Sequence, residues 1–136
     1  MISFQMFFPL SLIAVTCAFQ PSMAMDIITS ATLECKFTTE CVETEACQDA
    51  DFDITVTGTK PVKGQGFNAQ KIDSSIFSLD AEGRTDFGST VINAQDGDTG
   101  HLIIAASDGV AKYINLMVSV PMVITYHGNC AMETSE

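Results

Sequence analysis

The stretch that decides the fold is His101-Leu-Ile-Ile-Ala-Ala106, followed by Ser107-Asp-Gly109 and then Val110-Ala-Lys-Tyr-Ile-Asn-Leu-Met-Val-Ser-Val120. Two apolar runs flank an Asp-Gly pair. That pair favours a tight turn, because glycine tolerates positive φ and an aspartate side chain can bond its neighbouring backbone. The reading is a β-hairpin. In its second arm Val110, Lys112, Ile114, Leu116, Val118 and Val120 fall on one side at period two, against Ala111, Tyr113, Asn115, Met117 and Ser119. The first, more aliphatic set is expected to face the core.

Outward from the hairpin the same grammar repeats. Pro121 cannot donate to a sheet ladder and should break the chain before a further strand, Met122 to His127. Upstream, Asp53-Ile-Thr-Val-Thr57 alternates cleanly, and residues 58–66 supply a turn containing Pro61. Phe67 to Ile72, Ile76 to Asp80 and Thr85 to Asn93 carry strand-like residues, separated by Asp73-Ser-Ser75 and Ala81-Glu-Gly-Arg84. Counted from Thr32, this makes about eight short strands, the spacing of a small antiparallel barrel or sandwich. No stretch carries a helical period; Glu43 to Asp49 reads as one helical turn or as a loop. The fold class is all-β.

Before Asp26 the chain has no acidic or basic side chain, and residues 1–19 are almost wholly apolar. A run of that length, broken by Pro9, is short for a membrane span and fits the apolar core of a signal peptide. Ser22 and Ala24 supply the small residues a signal peptidase needs, so the expected leader is residues 1–24 and the mature part a single β-domain, residues 25–136. The leader lacks the usual basic residue near its start. Cys17 is a weak candidate for lipid attachment, because Ala14-Val-Thr16 before it does not make a good lipid-attachment signal. The expected location is the periplasm or the outside of the cell.

All 17 acidic and all 6 basic residues fall after the leader, giving a net charge of −11. That charge argues against nucleic acid and anionic lipid as partners and admits a basic protein. Four cysteines remain after the leader, and in an oxidising compartment an even number reads as disulfides. Four cysteines allow three pairings, among which the sequence does not choose. The expectation adopted is Cys41 with Cys47, closing a short polar loop, and Cys35 with Cys130, tying the first strand to the last.

Catalytic signatures are missing. There is no Gly-x-Ser-x-Gly, no His-Glu-x-x-His and no phosphate-cradling glycine loop, so no enzyme activity and no cofactor are expected. His101 and His127 are the two histidines, read as ordinary half-exposed residues at strand ends. Asp96-Gly-Asp-Thr-Gly100 begins like a calcium loop but lacks the later oxygen ligands, with Ser107 where a bidentate glutamate would stand. His127-Gly-Asn-Cys130 has ligand-like spacing without a Cys-x-x-Cys partner. No metal is expected at either.

Ser107, Ala111, Lys112 and Tyr113 recur at the spacing of an inhibitory loop, and in these residues the chain resembles the periplasmic and membrane-bound inhibitors of C-type lysozymes. It differs from that family at Asp108 to Val110, in lacking a tryptophan and in the added Cys41/Cys47 loop. The resemblance implies a small exported β-barrel closed by a bridge of the Cys35–Cys130 kind. It further implies that Ser107, Lys112 and Tyr113 form the binding loop, Ser107 and Lys112 entering the lysozyme cleft and Lys112 meeting the catalytic carboxylates. The function expected is a non-catalytic binding module, with a lysozyme-type hydrolase as the specific partner. Two rivals stand beside it. An apolar-ligand carrier would show a cavity lined by residues such as Phe67, Phe77, Phe87 and Leu116, and a structural envelope protein would show an exposed sheet edge.

Overall fold

The computed structural model describes residues 27–64 and 66–134. The expected leader and Cys17 lie outside the described residues. Eight strands follow in chain order: β1 (Ile28–Val42), β2 (Gln48–Pro61), β3 (Asn68–Asp73), β4 (Ser78–Asp86), β5 (Ser89–Asp96), β6 (Thr99–Ala105), β7 (Val110–Met117) and β8 (Met122–Thr134). Each pairs antiparallel with the next, and β8 returns to pair with β1, so the sheet is a closed barrel. Closure leaves no free sheet edge among the described residues.

The decisive hairpin forms as read. Ala105 pairs with Ala111, the Gly109 amide donates to the Ala106 carbonyl at 3.0 Å, and Gly109 takes φ +91°. Asp108 caps the turn by accepting from the Val110 amide at 3.0 Å. Its faces, however, are the reverse of the expectation. Ala111 and Tyr113 are buried, while Val110, Lys112 and Leu116 are exposed. Inside the barrel Tyr113 packs against the rings of Phe37 on β1, Phe52 on β2 and Tyr126 on β8, and these contacts select this face of β7 over the more aliphatic one.

A second difference lies at Thr85 to Asn93, read above as one strand after a connecting Ala81–Arg84. Instead β4 runs straight through Ala81–Arg84, and the chain turns at Phe87-Gly88. Asp86 pairs with Ser89, and Phe87 and Gly88 take φ +49° and +81°. A two-residue turn with both φ values positive suits the twist of a hairpin and is usually built from Asn-Gly. Phenylalanine in the first place hid it. Between the cysteines the chain makes a turn rather than a helix, and Pro121 ends the break before β8 as expected.

The core is one cluster in which Phe37, Ile54, Val56 and Ile92 are fully buried. Register shifts bend the strands around it, one of them between Phe37 and Thr39 of β1. Gly128 of β8 lies opposite that bulge. A Cβ there would fall against the Lys36 carbonyl and 2.7 Å from the Phe37 Cα, so only glycine permits the close approach. Cys35 and Cys130 are directly paired across the closing β1–β8 ladder and joined by a disulfide with Cα atoms 4.0 Å apart. Cys41–Cys47 closes the β1–β2 connection, so both bridges are the expected ones. Disulfides of this kind belong to an oxidising compartment.

Candidate functional site

From residue 87 to residue 132 the chain carries only four charged side chains, Asp96, Asp98, Asp108 and Lys112. The three acids sit in the β5–β6 and β6–β7 turns or at their edges. Every other residue that alternation turns outward on β5 to β7, and on β8 as far as Ala131, is therefore uncharged, apart from Lys112 and the titratable His127; Glu133 follows near the end of β8. Register aligns Val91, Ile104, Lys112 and His127 in one row across four strands. Leu102 and Ile114 form the centre of the next row, between Asn93 and Thr125, and Leu116 and Val123 follow in the one after, beside Gly100 and Gln95. The outer wall of β5–β8 thus has an aliphatic centre with neutral polar residues beside it and one cation, Lys112, in it.

Its exposure is real: Val110 is 55 % exposed, Leu116 45 % and Val91 42 %. A monomeric protein seldom shows a contiguous apolar face of this kind without a contact to make. The opposite wall is of another character. There Lys36 pairs with Asp51 at 2.8 Å, Lys71 with Asp73 at 3.2 Å and Arg84 with Asp86 at 3.1 Å. Lys112 makes no such pair among the described residues.

Behind the wall lies an aromatic stack. Tyr113, 1 % exposed, packs against Phe37 at 5.8 Å, Phe52 at 5.7 Å and Tyr126 at 5.4 Å between ring centroids. Its hydroxyl and Nδ1 of His101 share a hydrogen bond of 2.6 Å. The His101 ring lies nearly parallel to Tyr113 and 4.8 Å from Phe77. Burial drives the His101 pKa below the usual imidazole value, against the opposing field of Asp96. Burial likewise raises the Tyr113 hydroxyl above the usual phenol range, helped by Tyr126 and opposed by Asn115. Tyr126 is pushed up to about 12 by burial, then by its contact with Glu40. These shifts keep all three groups neutral near pH 7, in keeping with packing groups in a closed interior.

The structure therefore distributes the three expected binding residues. Lys112 stands on the outer wall, Ser107 is exposed at the hairpin tip, and Tyr113 points inward, where it anchors β7 from behind. Ser107 borders a cleft of about 330 Å³ at the barrel mouth, lined by Leu33, Lys60, Phe67, Thr85 and Met132 among others. The residues named for a carrier cavity do not meet either. Phe87 and Leu116 are exposed outside the barrel, and Phe67 and Phe77 belong to connections at its opposite ends.

His101 is not half-exposed but 6 % exposed, a role the sequence alone did not show, since its partner Tyr113 lies on the next strand. The wall itself had a legible signal in the chain: no carboxylate occurs from 109 to 132. Asp96-Gly-Asp98 forms a tight hairpin turn, Asp96 pairing with Thr99, and Asp98 bonds Ser119, which holds its carboxyl below the usual range. None of the protein-family models, curated proteins or solved structures compared with this chain matches it.

Proposed function

We propose that this protein is an exported, non-catalytic interaction module, acting in the periplasm or outside the cell, that docks on a partner protein through the outer wall of β5–β8. The partner favoured is a basic hydrolase of the lysozyme type, which the module would inhibit. The observation that carries the reading is the carboxylate-free aliphatic wall with Lys112 unpaired in it. An ammonium among aliphatic neighbours loses its water when a partner closes over it, and a partner carboxylate placed there gains a charge-assisted hydrogen bond. The acidic opposite wall supports the choice of a basic partner, because a net charge of −11 speeds encounter with a cationic protein while leaving the contact face free of like charge. The resemblance at Ser107, Ala111, Lys112 and Tyr113 points to the same hairpin.

The test is lysis of peptidoglycan by a C-type lysozyme in the presence of the oxidised protein, residues 25–136. Inhibition is expected, with Lys112→Ala weakening it by roughly tenfold or more, the effect of truncating one partner of a buried charge pair. Lys112 is exposed and makes no ion pair among the described residues, so the variant should melt like its parent. Absence of inhibition with the protein in large excess would discard lysozyme as the partner. Undiminished inhibition by Lys112→Ala would move the contact off this wall.

A further inference from the structure

The two ends of the barrel are unlike each other. At one end lie the β1–β2, β3–β4, β5–β6 and β7–β8 connections, with Glu43, Glu45, Asp49, Asp96 and Asp98 on or beside them. At the other lie the start of β1, the β2–β3 loop, the Phe87-Gly88 turn and the Ser107 turn, around the mouth. Here four large apolar side chains stand in the open: Ile27 is 74 % exposed, Ile28 64 %, Val62 53 % and Phe87 fully exposed. Lys60 lines the mouth and Lys63 is exposed on the neighbouring loop. Neither lysine makes an ion pair among the described residues. Of the acids at this end among the described residues, Asp86 is paired with Arg84, Asp108 caps its own turn, and Glu133 lies near the end of β8, opposite Thr32 of β1.

From this we infer that the mouth rim is a membrane-docking surface, in which Phe87, Val62, Ile27 and Ile28 enter the interfacial zone of a zwitterionic phospholipid bilayer while Lys60 and Lys63 reach its phosphates. Three features support it. Phe87 sits at φ +49°, a conformation that costs a bulky residue energy and that asparagine or glycine would adopt more easily at a turn of this type. The fully exposed ring contributes nothing to the core that would offset that cost. An aromatic ring and aliphatic side chains beside lysines are the composition of an interfacial anchor. Finally, two of the apolar groups are joined in one patch, the Val62 amide donating to the Ile27 carbonyl at 2.8 Å.

The net charge selects the lipid. A molecule with charge −11 is repelled by an anionic bilayer, so contact through apolar insertion favours a neutral surface. The far end also carries exposed apolar groups, Ile76, Val118 and Val120. Its five carboxylates, against Asp86, Asp108 and Glu133 at the mouth, would have to be dehydrated on a bilayer, which disfavours that orientation.

The chain has no tryptophan, so Phe87→Trp introduces a single fluorescent reporter at the rim and Ile76→Trp one at the far end. Both are made in residues 25–136, which hold all eight strands and both disulfides. With phosphatidylcholine vesicles, Phe87→Trp emission should move to shorter wavelength and be quenched by brominated acyl chains, and Ile76→Trp should do neither. Phe87→Asn should raise thermal stability by relieving the turn, yet cut vesicle co-sedimentation roughly tenfold or more, the expected effect of losing one buried aromatic. Adding phosphatidylglycerol should weaken binding further. No response from Phe87→Trp, an equal response from Ile76→Trp, or full co-sedimentation of Phe87→Asn would overturn the assignment.

Discussion

Inside the barrel, His101 and Tyr113 form a pair that makes stability depend on pH in a definite direction. The folded pKa of His101 lies below its value in the unfolded chain because burial penalises the charged ring. The unfolded state therefore binds a proton more readily, and folding is favoured fully only above the ordinary histidine range, near 6.5. As pH falls through about 6.5 toward the lower folded value, that contribution is lost. Urea midpoints measured between pH 8 and pH 5 should thus decline for the parent protein and flatten for His101→Gln. An equal decline in both would show that His101 is not the titrating group. The lowered carboxyls of Asp51, Asp73 and Asp98 act in the same direction but in a separate, more acid window, at and below the usual carboxylate pKa. Tyr113→Phe tests the other half of the pair. It leaves a buried ring nitrogen without its partner and should cost roughly 1–3 kcal/mol, read by chemical unfolding at pH 8. That a tyrosine in a hairpin arm would be an interior anchor, while the lysine beside it stands in solvent, was not legible from alternation. Both faces of β7 carry apolar groups, and the choice between them was made by rings on β1, β2 and β8 that are distant in sequence.

At the level of strands, the devices that bend and pair them decide how much a sequence reveals. The 101–120 hairpin was legible because its turn chemistry is local: Asp108 caps and Gly109 takes the positive φ. The β4–β5 hairpin was not, because Phe87-Gly88 carries no turn signature. Ala81-Glu-Gly-Arg84, which does look like a loop, lies inside a strand, where Gly83 faces inward beside Ile92. Bulges are the least visible of all, since a register shift such as that at Phe37/Thr39 depends on what the facing strand offers. Here it offers Gly128, and this gives a sharp expectation. In Gly128→Ala the added methyl meets backbone atoms of β1, which cannot rotate away. The cost should be roughly 2–3 kcal/mol, within the range for overpacking, with lowered stability of the β1–β8 pairing. Hydrogen exchange should show the amides around Phe37 and Gly128 opening before those of β6 and β7. Uniform exchange, or unchanged stability, would mean that the strands separate without cost.

Across the whole molecule, charge and closure are arranged on different axes. Around the barrel, β1–β4 carry the paired charges and β5–β8 the aliphatic face; along it, one end is acidic and the other apolar with two lysines. Such a distribution gives an acidic protein two surfaces on which an apolar contact can form with few carboxylates close by. Both surfaces require the barrel to stay closed, and closure rests on the β1–β8 seam where Cys35 and Cys130 are joined across 95 residues of chain. In the simplest chain-entropy treatment a loop of that length restricts the unfolded state by about 4–5 kcal/mol, against about 2 kcal/mol for the six-residue span of Cys41–Cys47. Replacing Cys35 and Cys130 by alanine should therefore lower unfolding free energy by about twice as much as replacing Cys41 and Cys47. The two losses need not have the same functional consequence. The short bridge lies at the acidic end, where its loop is also held by the Glu43 carboxylate accepting from the Val123 amide at 2.6 Å. Without it the mouth rim and the outer wall keep their support, so vesicle binding and any inhibition should persist at temperatures where the fold survives. Without the long bridge, a seam that only hydrogen bonds and packing hold should open first on warming, and both activities should fall together with the loss of β8 protection. If instead the Cys41/Cys47 variant were the less stable of the two, the restriction of the acidic loop, and not the closing seam, would be the principal covalent support of the barrel.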